Sequence, residues 1–187
     1  MDLATLLAQA EKRLLRYGEH PPTIVLTFEG LPNPIQRTFA SLPATPDQRE
    51  RMLFLKGRQF AEQYGTRRVQ RVWFVCEAWM SVIRDRTSSF IPPSRDPKRL
   101  EAVLLVELDA TSASLSQQCE ARAIQRNRSG AIKALQPIPE LSAAQGSLSM
   151  AGVLLLSFLE GFAQASSQDY GPLQSMIQQQ RRRLTAL

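Results

Sequence analysis

Carboxylates are the residues of this chain best placed, by type and spacing, to do chemistry. Glu77 lies inside its most apolar run, between Cys76 and Ala78. Glu107 and Asp109 end a second such run and share a face by the two-residue period of a strand. Glu101 stands at the near end of that run, and Glu120 lies in a third. A buried strand glutamate has a raised pKa unless a cation pairs with it, and such groups serve acid–base and magnesium chemistry. The plainer reading is an ion pair with an arginine of a neighbouring strand, such as Arg122 or Arg126, and it is the one we favour.

Most other chemistries are excluded. His20 is the single histidine, beside Pro21-Pro22, and is expected as an exposed loop residue. One histidine forbids HExxH and Cys2His2 sites and leaves a Ser-His-Asp or Cys-His arrangement only His20. Cys76 and Cys119 are too few and too far apart in sequence for a disulfide framework or a zinc ribbon. No GxxxxGK[ST] or GxGxxG loop occurs. No strand carboxylate is followed two residues later by lysine. These residues imply neither a cofactor nor a metal ion.

The basic residues offer a second kind of site. Lys and Arg number 23 against 17 Asp and Glu, a net charge of +6, and 19 of the 23 are arginine. Arginine forks suit phosphate and carboxylate groups. Residues 67 to 133 hold 12 basic and 7 acidic groups, so the surplus is central. Arg67, Arg68 and Arg71 enter one strand beside Trp73, and Arg122, Arg126 and Arg128 follow another. They are the candidates for nucleic-acid contact, split between two rims of a sheet. Aromatics make up only 7% of the chain. Trp73 and Trp79 sit in apolar runs and read as core residues rather than stacking platforms.

Helical spacing of Leu3, Leu6, Leu7, Ala10, Leu14 and Leu15 predicts a helix over 2–17, stopped by Gly18. Thr23 to Phe28 reads as a short strand; 30–46 reads as a proline-rich loop with an edge strand near Ile35 to Phe39. Thr45-Pro46-Asp47-Gln48 starts a helix that runs to Tyr64, with Gly65 as its stop. Gly57 inside that helix costs about 1 kcal/mol against alanine and suggests a close contact. The middle reads as a three-stranded antiparallel meander: Val69 to Val82, Glu101 to Leu108, Leu115 to Arg126. With the second strand between the others, Cys76 and Cys119 stand roughly 10 Å apart, too far for a disulfide. Residues 127–147 read as a connection, followed by helices over 148–165 and 172–184. The apolar run Val153 to Leu159 is short of the roughly 20 residues a bilayer needs, so it reads as a core or interface helix.

Glu77-Ala78-Trp79-Met80, followed by Pro93-Ser94-Arg95-Asp96-Pro97-Lys98-Arg99-Leu100-Glu101, resembles a pattern in a set of small bacterial and phage-encoded proteins of unknown function. The pattern runs roughly EAWM, then PSxDPxRxE, and the resemblance spans residues 68–110. It implies no activity. It points to Glu77, Trp79, Ser94, Asp96, Arg99 and Glu101 as a cluster across the first hairpin. By residue type, Asp96-Pro97 starts a turn, Ser94 and Asp96 bond its backbone, and Arg99 pairs with Glu77 or Glu101.

The chain is therefore expected to be one α+β domain over residues 1–187, a central antiparallel meander of three to five strands packed by helices. The Pro46 to Tyr64 helix and its neighbours should cover one face. The low cysteine count and the absence of an evident signal peptide suggest a cytoplasmic protein without a membrane anchor. Three functional readings follow. The first is a non-enzymatic, homo-oligomeric interaction or assembly protein, suggested by the missing catalytic motifs and the apolar C-terminal helices. The second is a nucleic-acid-binding accessory protein. The third is a metal-dependent enzyme on Glu77, Asp96 and Glu101. No small-molecule ligand can be named from the sequence.

Overall fold

The computed structural model describes residues 1–81, 95–112, 115–138, 150–167 and 170–185. Helix α1 (Leu3–Tyr17) begins where the Asp2 carboxylate accepts the Thr5 N–H at 2.8 Å. It ends at Gly18, whose φ of 78° is left-handed backbone that favours a residue without Cβ. Helix α2 (Pro46–Tyr64) is capped by Thr45, whose hydroxyl accepts the Gln48 N–H at 3.4 Å.

Six strands follow the α+β pattern: β1 (Thr23–Phe28), β2 (Ile35–Thr38), β3 (Val69–Met80), β4 (Leu100–Asp109), β5 (Ser116–Arg126) and β6 (Ile132–Pro137). They form one sheet in the order β2-β1-β3-β4-β5-β6, with every neighbouring pair antiparallel. The expected meander is its β3-β4-β5 centre. The sheet exceeds the expected three to five strands because the 127–147 connection contains β6. An Asn127-to-Gly130 turn, with Gly130 at φ 84°, folds that segment back onto β5.

The two-residue period sorts the sheet into faces. Val72, Phe74, Cys76, Leu104 and Val106 point to α2 and to helix α3 (Met150–Ala165). Val25, Trp73, Val75, Val103 and Leu105 point to α1. Helices thus cover both faces, α2 and α3 the one expected for the Pro46 to Tyr64 helix and its neighbours, and α1 the other. Burial on both sides explains the nearly continuous apolar runs of β3 and β4. Register sets Cys76 opposite Leu104 and Cys119 opposite Val106, so β4 lies between the two cysteines as expected, and both thiols are free.

Helices α2 and α3 touch through backbone. A Cβ built on Gly57 would lie 2.8 Å from Phe162 N and 3.0 Å from Phe158 C, and closer still to the Phe158 carbonyl oxygen. A Cβ on Gly161 would meet the Phe54 backbone in the same way. Leu154, Leu155, Phe158, Leu159 and Phe162 are consumed by the core, so α3 leaves little apolar surface for a partner. Helix α4 (Gly171–Thr185) is tied down by Arg181, which donates to Ser157 and Glu160, each at 2.9 Å. Among the described residues no helix is long and apolar enough to cross a membrane.

Candidate functional site

Residues 71, 73, 77 and 79 of β3 share the α1 face with 101, 107 and 109 of β4, because the strands pair Arg71 with Asp109, Trp73 with Glu107 and Trp79 with Glu101. This alternation places the charges in a row around the apolar patch under α1. At the start of β3, Arg71 Nε donates to Asp109 at 3.0 Å and lies 3.8 Å from Glu107. The buried Trp73 indole donates to Glu107 at 2.8 Å. Burial pushes the Asp109 carboxyl up, but hydrogen bonds from Thr111 and the neighbouring Arg71 outweigh it and hold the group below the ordinary carboxylate range. Further along, Arg122 pairs with Glu11 of α1 at 3.1 Å and with Glu120 at 3.4 Å.

At the far end, Arg126 grips both Glu101 oxygens, at 2.6 and 2.8 Å. It also lies 3.9 Å from Glu77. The other Glu77 oxygen accepts the backbone N–H of His20. Glu77 therefore anchors the α1–β1 link to the sheet, and the strand carboxylates are engaged by cations and amides. Among the described residues no three His, Cys, Asp or Glu side chains come together as a metal-holding group.

Two sequence expectations need correction here. His20 is only 9% exposed, not a free loop residue, because the Glu77 contact draws its backbone onto the sheet. Its Nδ1 is buried without a hydrogen-bond partner, and burial is the main cause holding its pKa below the usual histidine value. Trp79 is 53% exposed rather than a core residue. It lies near the end of β3, beyond the patch that α1 covers. No run of sequence marks that end, since the apolar residues continue past it.

The exposed Trp79 ring is stacked under the Arg99 guanidinium, 4.6 Å from the ring centroid. Asp96 shapes the turn that delivers Arg99. Its side chain accepts the Lys98 N–H at 2.8 Å, and its carbonyl accepts the Arg99 N–H at 3.2 Å. Glu101, opposite Trp79, goes to Arg126. Trp79, Arg99, Glu101, Ile124, Arg126 and Pro137 line a shallow cleft of about 440 Å³. The hairpin thus brings Glu77, Trp79, Arg99 and Glu101 to one end of the sheet, with Arg126 added. Ser94 lies outside the described residues.

The arginines divide by strand direction. Arg67 and Arg68, both exposed, precede β3 at the Asp109 end. Arg126 and the exposed Arg128 lie at the Trp79 end, roughly 33 Å away by strand rise. Arg122 lies between. Comparisons with protein-family models, with curated proteins and with solved structures produced no match to the chain.

Proposed function

We propose that this protein works by docking rather than catalysis, as a cytoplasmic interaction or assembly protein whose first partner is a second copy of itself. The observation that supports the reading is the exposed Trp79 ring, stacked under Arg99 beside a cleft lined by apolar and charged residues. Tryptophan and arginine dominate the energetic centres of protein interfaces, because each offers a large contact area together with a polar handle. The segment that delivers Arg99 also carries Lys98, Asp96 and Glu101, charges of both signs. Mixed charge of this kind suits a two-fold interface, where each patch meets its own copy. Engagement of Glu77 and Glu101 by Arg126 weighs against a divalent-metal centre on Glu77, Asp96 and Glu101.

One further observation favours nucleic acid as a second reading. Arg95, Lys98, Arg99 and Arg128 are all exposed at the Trp79 end, and basic groups beside an exposed aromatic suit a single strand. Sedimentation velocity over a concentration series tests the first reading, and anisotropy of labelled single-stranded DNA and RNA over a salt series tests the second. Trp79→Ala should weaken self-association about 30-fold or more, the loss expected of an interface centre. A wild-type protein that stays monomeric, with salt-dependent binding to a single strand, would transfer the site to the second reading.

A further inference from the structure

The opposite end of the sheet carries a separate and larger cavity. It measures about 840 Å³ and opens between the start of β3, the residues after β4 and the first turns of α4. That volume lies within the usual range for small-molecule sites. Val69, Tyr170, Leu173 and Met176 form an apolar wall, while Arg68 and Thr111 supply polar groups. The wall is firmly held. Tyr170 is buried, packs edge-on against Phe162 at 5.5 Å, and donates its hydroxyl to the Arg67 carbonyl.

Arg68 is the one cation among the described residues that line the cavity. Arg71, Arg122, Arg126 and Arg181 each meet a carboxylate at 3.1 Å or closer. Among the described residues the Arg68 guanidinium has no hydrogen-bonding or ion-pair partner, yet it stands at an apolar cavity. A cation without a partner among the described residues, beside an apolar wall, suits a ligand with one anionic head and an apolar body. The head gains charge-assisted hydrogen bonds from the guanidinium, and the body leaves water against Val69, Leu173 and Met176.

We propose that this cavity binds a small amphipathic organic acid, with Arg68 holding its carboxylate. The site is independent of the Trp79 surface and neither requires nor implies a reaction. Decanoate is the probe, titrated into the full chain by calorimetry. Decylammonium is the charge-reversed control. Decanoate should bind saturably, at least about ten-fold more tightly than decylammonium, since the charge-assisted bonds exist for one and repulsion for the other. Arg68→Gln should weaken decanoate about ten-fold or more, and Gln179→Trp, at the exposed rim, should block it. Arg128→Gln, at the far end, should leave it unchanged. Arg68 and Gln179 are both exposed, so the variants should keep the wild-type circular dichroism. No saturable binding of decanoate at millimolar concentration would overturn the proposal. So would equal binding of the two amphiphiles, or wild-type affinity in both Arg68→Gln and Gln179→Trp.

Discussion

Replacing Gly57 by alanine probes the packing that holds the sheet's main core together. At an exposed helix position this change stabilises by about 1 kcal/mol, because glycine loses more backbone freedom on folding. Here the new methyl would stand 2.8 Å from Phe162 N and 3.0 Å from Phe158 C. Ordinary contacts to carbon lie at about 3.5–4.0 Å, so the overlap at these two atoms is roughly 0.5–1 Å, and it is greater at the Phe158 carbonyl oxygen. Both neighbours are backbone, so no rotamer change relieves it, and α2 must move away from α3. Separation by that amount forfeits about a quarter to a half of each dispersion contact across the interface. Overpacking of this kind costs about 1–3 kcal/mol and sometimes more; with backbone on both sides we place it at about 3 or above. After the propensity gain, Gly57→Ala should destabilise by at least about 2 kcal/mol, or roughly 4–8 °C in Tm. Gly161→Ala should behave alike, and the double variant should cost less than the sum, because the first methyl already parts the helices. Urea unfolding followed by tryptophan fluorescence reads all three. A stabilised Gly57→Ala protein would refute the close crossing.

Further expectations concern the α1 face and the thiols. Glu107→Ala orphans the buried Trp73 indole N–H and should cost about 1–3 kcal/mol, while Glu107→Gln, which keeps an acceptor, should recover most of it; equal losses in urea unfolding would contradict the hydrogen bond. The folded-state pKa of His20 lies below its unfolded value, so its contribution is present above about pH 6.5 and is lost as pH falls through the folded pKa. Wild-type stability should therefore decline as pH falls below about 6.5, and His20→Gln should flatten that decline; a wild-type profile already flat there would show that the imidazole is not buried. Burial pushes the Cys76 thiol up to about 12, so at pH 8 iodoacetamide should label it only after unfolding, as mass spectrometry of the peptide would show; prompt native labelling would contradict its burial.

Much of this architecture was legible because period and caps agree. Asp2 and Gly18 bracket α1, and Thr45 and Gly65 bracket α2, each with a local hydrogen bond that its residue type invites. The β3-β4-β5 order followed from two apolar runs and a third, more polar one, the last two joined by the short turn-like link after Asp109. Strand β6 escaped because an edge strand needs only half a pattern. Its residues are partly or fully exposed, Lys133 and Gln136 break the apolar run, and Pro137 ends it. The Asn127-to-Gly130 turn was the available signal. At the candidate site, the alternation that puts Glu107 and Asp109 on one face was readable, and so was pairing of strand carboxylates with arginine. Which arginine meets which carboxylate was not. Arg126 took Glu77 and Glu101, and Arg99 went to Trp79, because register and the Asp96 turn decide reach. The burial of His20 rests on one contact 57 residues away in sequence, which no local pattern encodes. The cavity beside Arg68 joins β3 to α4 across a similar gulf.

Sedimentation velocity of wild-type protein and Trp79→Ala, from low to high micromolar concentration, tests the docking surface most directly. Wild type should shift to a larger species as concentration rises, and Trp79→Ala should lose that shift with unchanged circular dichroism. A wild-type protein that remains monomeric throughout, or a Trp79→Ala variant that associates as tightly as wild type, would contradict the docking surface.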